Sequence, residues 1–210
     1  MNLSQFEPRF IQFISEEMTT DAAHDLNHIF RVVKTARQLA IEEQAQLEIV
    51  IPAAYLHDCF TYPKDHPERK QSAKVAADKA CKFLLSINYP AQYIDAIHHA
   101  IMAHSYSAGL APETLEAQIV QDADRLDAIG AIGIARCIQV GVSFGTELYH
   151  YPDILANRRE LDDKRFTIDH FYVKLFKIAD SMQTRSAKKE AQKRKAFMQQ
   201  YIEQLRNEVE

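Results

Sequence analysis

Glycine is scarce in this chain, with only five glycines in 210 residues. Alternating apolar and polar runs joined by hairpin turns, which would indicate an antiparallel sheet, are also absent. The composition is instead rich in Ala, Gln, Glu and Lys, and long stretches repeat their apolar residues with a period of about 3.6. The sequence therefore predicts an all-α fold.

The chain also has few cysteines and lacks long apolar runs. Cys59, Cys81 and Cys137 are far apart and form no CxxC pair, which is typical of a reduced intracellular protein. The N-terminus, MNLSQFEPRF, lacks the basic and apolar regions of a secretory signal. No apolar run approaches the ~18 residues that would indicate a membrane span. We expect a cytoplasmic protein without a membrane partner.

Positive charge is not in excess either, since the formal net charge is -4. A protein that binds nucleic acids regardless of sequence carries a basic face, so we expect no stable nucleic-acid binding. A small basic pocket for a nucleotide is still compatible with this balance. Hydrophobic residues make up 47% of the chain, which is enough for an ordinary core.

The length fits a single domain that covers residues 1–210. Its core is predicted at about 20–140, followed by an irregular loop or lid at 141–167 and additional C-terminal helices at 168–210. Apolar periodicity and the positions of Pro and Gly predict the core helices. They run from a cap at Thr20 or Asp21 to Gln44, and over about 47–60, 71–87, 91–104, 115–129 and 130–140.

Three separated fragments carry the residues that are suited to metal chemistry. His28 lies in NHIFRV, the doublet His57-Asp58 follows an apolar run, and Asp124 lies in QDADRLD. Neutral imidazole together with carboxylate suits Mn, Fe, Co, Ni or Zn. The doublet alone cannot complete a coordination shell, but a His and an Asp from other helices would bring the ligands to four and leave positions for water and substrate.

This ordered set, H-x-x-R-V, then HD, then A-D-R-L-D, resembles the HD superfamily of metal-dependent phosphohydrolases over roughly residues 20–140. The stretches HPER, AHSYSAG and DHF look like a branch of small stand-alone bacterial proteins. The resemblance implies an HD-domain helical bundle. It also implies one or two divalent ions (Mn, Fe, Mg, Ni, Co or Zn) held by His28, His57, Asp58 and Asp124.

Asp124 has a competitor two residues earlier. At ~100° per residue, Asp122 and Asp124 point roughly 160° apart on one helix, so both cannot face one metal. The A-D-R-L pattern of the family selects Asp124.

Further candidates for the site are histidines and cations near these motifs. The resemblance suggests His104 and His66 as ligands of a second metal or as phosphate contacts, with His99 and His98 on the same helix as His104; the alternative for each is a capping or surface histidine. His24 could replace His28 as a ligand. Arg31 and Lys70 are the favoured cations for phosphate oxygens.

The resemblance implies hydrolysis of a phosphate ester or anhydride, with a nucleotide as the favoured substrate. Asp58 would orient the metal and accept a proton from water, and Arg31, Lys70 and His104 would complete the catalytic set. One departure from the family is that CFTYPKD follows the doublet, so the acidic residue or lysine found there in several active branches is missing or displaced. The alternatives are a non-catalytic metal or nucleotide sensor and a di-iron oxygenase.

Overall fold

The computed structural model describes residues 2–18, 25–63, 66–105 and 109–209. Within these ranges every regular element is a helix, and the one extended contact is an isolated bridge between Glu147 and Phe166. The predicted all-α fold is therefore confirmed. The chain divides into two compact units, residues 1–124 and 125–210, and the single domain expected from the length stays a prediction.

The described residues of the first unit form five α-helices and most of a sixth. These are α1 (Glu7–Glu17), α2 (Leu26–Glu43), α3 (Leu47–Leu56), α4 (Ser72–Ser86), α5 (Ile94–His104) and α6 (Leu115–Asp127). Helix α3 is central, because α1, α2 and α5 all pack against it. Its residues from Ile49 to Leu56 are all buried, and the two chemically active residues of the doublet directly follow this anchored segment.

Helix α2 begins later than the sequence predicted. Its N-cap is Asp25, whose carboxylate accepts a hydrogen bond from the backbone N–H of His28 at 2.8 Å. The predicted caps Thr20 and Asp21 lie outside the described residues. Aspartate is a preferred N-cap because its side chain satisfies an N–H of the first turn that has no partner within the helix. This bond sets where the first turn of α2 lies, and with it the position of His28.

Helix α3 tolerates a proline in its interior. Pro52 has no N–H to donate to the carbonyl of Glu48, one turn earlier. That carbonyl instead accepts a hydrogen bond from the Tyr89 hydroxyl at 2.7 Å. The helix then continues to Leu56, so the doublet His57-Asp58 lies at its end, as the sequence predicted.

The core of the first unit is centred on Phe10 of α1, which is fully buried. Its ring lies 5.6 Å from that of Tyr55, 6.1 Å from that of Tyr89 and 6.3 Å from that of Phe83, measured between centroids. Burial of a side chain of this size contributes about 2–3 kcal/mol. The cluster therefore fastens α1 to α3 and α4.

The second unit contains α7 (Gly130–Phe144), α8 (Phe176–Asp180) and α9 (Arg185–Val209), with a π-helical turn at Phe171–Leu175 before α8. Helix α7 extends to Phe144 and is capped by Gly145 in the left-handed conformation, so it continues past the predicted end at about residue 140. Helix α7 also passes close to the chain at Thr167. A Cβ atom on Gly141 would lie 2.4 Å from the Thr167 hydroxyl.

Residues 145–167 contain no helix, whereas residues 141–144 of the predicted loop belong to α7. The buried carboxylate of Asp169 organises this segment. It accepts hydrogen bonds from both terminal nitrogens of Arg159 and from the backbone N–H of Asp162. The Arg159 guanidinium also lies over the ring of Phe166, 4.7 Å from its centroid. The ion pair between Arg159 and the buried Asp169 thus holds the loop in place.

Among the described residues, no single helix is both long and apolar enough to cross a membrane; α6 and α7 taken together pass that test by length and composition only.

Candidate metal centre

Four helix ends of the first unit supply the candidate ligands. His28 lies in the first turn of α2, the doublet His57-Asp58 directly follows α3, and Asp124 lies in the last turn of α6. His104 is the last residue of α5. Each side chain is therefore attached next to a packed helix, which is a more rigid support than a free loop.

The structure brings the four predicted ligands together. His28 Nε2 lies 3.4 Å from Asp124 Oδ1 and 3.9 Å from Asp58 Oδ2. His57 Nε2 lies 3.6 Å from Asp58 Oδ2 and 3.8 Å from Asp124 Oδ1. The donor atoms of His28, His57 and Asp58 all lie within 4.8 Å of one another.

These separations fit a shared cation. Nitrogen and oxygen donors bound at about 2.0–2.2 Å to one ion are roughly 3–4 Å from each other. The four imidazole–carboxylate distances fall within that range; His28, His57 and Asp58 form one compact group, and Asp124 lies within 4 Å of both histidines. Imidazole together with carboxylate suits Mn, Fe, Co, Ni or Zn. The residues present therefore fit a divalent metal ion.

A hydrogen bond at Nδ1 of His57 leaves its Nε2 available to bind a metal ion. His57 Nδ1 donates to the carbonyl of Ala54 at 2.8 Å, so Nε2 is left with its lone pair. Nε2 is buried and has no hydrogen-bond partner among the described residues. Metal-binding histidines are commonly oriented in this way by a bond at the second nitrogen. Burial also lowers the pKa of His57, and this favours the neutral form that can bind a metal.

Solvent reaches this cluster from the carboxylate side. The side chains of His57 and His28 are 0% and 1% exposed, whereas those of Asp58 and Asp124 are 17% and 30% exposed. Water and a substrate can therefore approach the carboxylates while the imidazoles form the floor of the site.

His104 joins the cluster through the second oxygen of Asp58. Its Nε2 lies 3.5 Å from Asp58 Oδ1, while Asp58 Oδ2 faces His28 and His57. Its Nδ1 donates to the carbonyl of Ile101 at 2.5 Å. Burial lowers the pKa of His104, but the hydrogen bond and negative charge of Asp58 outweigh burial, and the net pKa is raised. Asp58 thus connects the ligand cluster to His104.

Asp122, Arg31 and Lys70 are three further residues that the sequence offered for this site. Asp122 is fully buried, and Asp124 is the carboxylate that lies within 4 Å of both histidines. Arg31 is half-buried, one turn beyond His28 on α2, and Lys70 is exposed in a short 3-10 turn. No described contact places Arg31 or Lys70 at the cluster, so both roles stay predictions.

The other histidines have partners outside the cluster. His66 stacks on Tyr62 with ring centroids 4.3 Å apart, His98 pairs with Asp78 at 2.9 Å, and His99 accepts a hydrogen bond from the backbone N–H of Glu113 at 3.0 Å. His24 lies outside the described residues.

The sequence reasoning missed two residues that support the site. Asp25 caps α2 immediately before His28, and an aspartate three residues before a histidine in a helical pattern is a signal that could have identified it. The second is Gln121, whose amide nitrogen donates to the carbonyl of Ala103 at 2.7 Å. No local sequence pattern predicts a bond between residues this far apart.

Comparison with known proteins defines the class to which this arrangement belongs. The sequence model of the HD domain matches residues 25–129. The chain is 30% identical over 192 residues to the uncharacterized protein YpgQ of Bacillus subtilis, a match that covers 90% of this chain and 85% of that protein. The chain belongs to the HD-domain family.

Solved structures agree with this assignment. The crystal structure of Bacillus subtilis YpgQ in complex with ADP has a TM-score of 0.76 at 31% identity, covering 100% of this chain and 97% of that one. An HD-superfamily hydrolase from Bacillus thuringiensis has a TM-score of 0.76 at 32% identity, covering 98% and 97%. A protein from Lactobacillus plantarum has a TM-score of 0.74 at 34% identity, covering 99% and 98%. The family and fold inferred from the motifs are therefore confirmed.

Proposed function

We propose that this protein is a metal-dependent phosphohydrolase that cleaves a phosphate ester or anhydride, with a nucleotide as its substrate class. The observation that carries the proposal is that both His28 and His57 lie within 3.4–3.9 Å of the carboxylates of Asp58 and Asp124. The nucleotide is supported by the relative YpgQ, which was crystallised with ADP.

A bound divalent ion would supply Lewis acidity, which lowers the pKa of a coordinated water and polarises a phosphoryl oxygen. His28 and His57 would hold the ion through Nε2 from the buried side of the site. Asp58 Oδ2 and Asp124 Oδ1 would hold it from the side that solvent reaches. The two carboxylates also supply the negative charge that selects a cation at this position.

Asp58 is placed to handle the proton released by water. Its Oδ2 faces the two buried histidines, and its Oδ1 faces His104 Nε2 at 3.5 Å. We assign Asp58 the acceptor role and His104 the exchange of that proton with the substrate or solvent.

Cations are needed because charge accumulates on the phosphoryl oxygens during transfer. Arg31, one turn beyond His28, and Lys70, in the turn before α4, are the proposed donors. Arginine can contact two oxygens at once, whereas lysine supplies a point charge.

The test begins with purified protein whose metal content is measured by mass spectrometry before and after treatment with EDTA. The stripped protein is then reloaded with Mn, Mg, Ni or Co, and phosphate release is measured over a panel of nucleotides and simple phosphate esters. We expect metal-dependent release of phosphate from at least one nucleotide. Stabilisation by nucleotides without turnover would instead support the sensor, and metal-dependent oxygen consumption would support the oxygenase.

Two variants connect this activity to the site. His57→Ala and Asp124→Ala are each expected to abolish metal binding and phosphate release. His98→Ala and Asp95→Ala are the matched controls, because His98 pairs with Asp78 and Asp95 is exposed in the first turn of α5. Wild-type activity in both site variants would rule out this site.

A further inference from the structure

Gln121 is a buried polar residue that lies between two of the helices of the site. It is 3% exposed and precedes Asp124 by one turn of α6. Its Nε2 donates to the carbonyl of Ala103, the residue before His104 at the end of α5. One side chain thus joins the end of the helix that carries His104 to the helix that carries Asp124.

The end of α5 needs such a donor. The last four carbonyls of a helix have no N–H partner within it, and in α5 they include those of Ile101 and Ala103. The carbonyl of Ile101 accepts from His104 Nδ1, and that of Ala103 accepts from Gln121. The two bonds fix both the His104 ring and the backbone next to it.

A contribution to the stability of the fold does not by itself explain why a glutamine is buried at position 121. Its Oε1 is buried and has no hydrogen-bond partner among the described residues, and an unpaired buried acceptor is unfavourable. The benefit that offsets this cost is the bond to Ala103, which acts on the segment that presents His104 to Asp58.

We propose that Gln121 is a positioning residue for His104. Its amide holds the end of α5 at the distance from α6 at which His104 Nε2 faces Asp58 Oδ1. This inference deepens the proposed function and rests on it for the effect on turnover, but the geometric part can be measured in a protein that turns nothing over.

The chain offers a matched control on the same helix. Gln118 lies one turn before Gln121, and its Nε2 also donates to a backbone carbonyl, that of Pro112, at 3.3 Å. That carbonyl belongs to the segment before α6, which carries no ligand of the site. Gln118→Met and Gln121→Met therefore remove the same kind of bond, but only the second bond lies beside His104.

The kinetic test compares four variants: Gln121→Met, His104→Gln, the double variant and Gln118→Met. We expect Gln121→Met to lower kcat by about 10-fold with KM within about 2-fold, because a small misplacement of a catalytic group is costly. The double variant should be no slower than His104→Gln, since the two residues act as a unit. Gln118→Met should match the wild type. If the two single losses multiply in the double variant, Gln121 acts independently of His104 and the inference is wrong.

The second test does not depend on turnover. In the metal-free protein, the ¹H–¹⁵N ring signals of His104 are assigned by their loss in His104→Gln. Gln121→Met should shift them, whereas Gln118→Met should leave them in place; unchanged signals in Gln121→Met would overturn the inference. If Gln121→Met does not fold, Gln121→Leu replaces it, because leucine has neither a donor nor a charge to bury, and Gln118→Leu becomes its control. Absence of phosphate release from the wild type would refute the proposed function without affecting this test.

Discussion

Replacement of Asp124 by asparagine tests the metal centre directly. Asp124 Oδ1 lies 3.4 Å from His28 Nε2 and 3.8 Å from His57 Nε2. Its side chain is 30% exposed, so Asp124→Asn removes one negative charge from the ligand set without opening a cavity in the core. Any loss of metal binding can then be separated from a loss of folding.

The size of the effect follows from the position of this carboxylate. Removal of groups that only support metal ligands costs about 10–100-fold in affinity, so loss of a direct charged ligand should cost about 100-fold or more. At a metal concentration of about 100 times the wild-type Kd, the stabilisation by metal is about 2.7 kcal/mol, and a 100-fold weaker site retains about 0.4 kcal/mol. The difference of about 2.3 kcal/mol corresponds to roughly 5–9 °C in Tm for a chain of this length.

The assay is thermal unfolding with EDTA and with Mn at that concentration. We expect Asp124→Asn to unfold near the wild-type temperature in EDTA and to lose most of the increase produced by metal. Asp95→Asn is the control, because Asp95 lies nine residues before His104 on α5, about 13 Å along the helix axis. If Asp124→Asn keeps the full metal-dependent increase in Tm, Asp124 is not a ligand and the reasoning from distances is refuted.

Three further predictions concern the support of the site and the rest of the fold. Asp25→Ala removes the cap of α2 and should lower the free energy of unfolding by about 1 kcal/mol in urea titrations; an unchanged midpoint would contradict the capping role. Asp169→Asn removes the buried carboxylate that binds Arg159. Because Arg159 itself is partly exposed, the change should cost about 2 kcal/mol in the same titrations, and a cost below about 0.5 kcal/mol would show that the pair is not needed. Burial raises the pKa of Cys81 and of Cys137 to about 11, so both remain thiols at pH 8. Because thiol pKa values are about 8.5 in urea, their reaction with Ellman's reagent should be about 100-fold slower in the folded protein than in urea. Equal rates in the two states would refute the effect of burial on these thiols.

The sequence was informative about the candidate metal ligands because a divalent ion restricts which side chains can bind it. His28, the doublet and Asp124 stand in motifs whose spacing identifies the family. The helical period showed that Asp122 and Asp124 cannot both face one metal, and the A-D-R-L pattern of the family selected Asp124. The structure brings these side chains together. The scarcity of glycine and the apolar periodicity were likewise sufficient to predict a helical fold.

Helix ends were harder to predict, because they depend on a single local bond that competes with several alternatives. Asp25 caps α2 where Thr20 and Asp21 were expected, and α7 continues to Phe144 instead of ending at about residue 140. Propensity changes little across such boundaries, so it cannot choose between neighbouring capping residues.

The sequence by itself thus determined the helical class and the family, and it predicted the four residues that meet in the candidate metal centre. Only the tertiary structure decided which of the remaining histidines reaches the site. His104 faces Asp58, while His66, His98 and His99 have other partners. The physical reason is that a histidine's chemistry is the same at every position. Its role depends on which helices pack together, and here α5, which carries His104, is joined to α6 by a hydrogen bond between residues 18 positions apart in the chain.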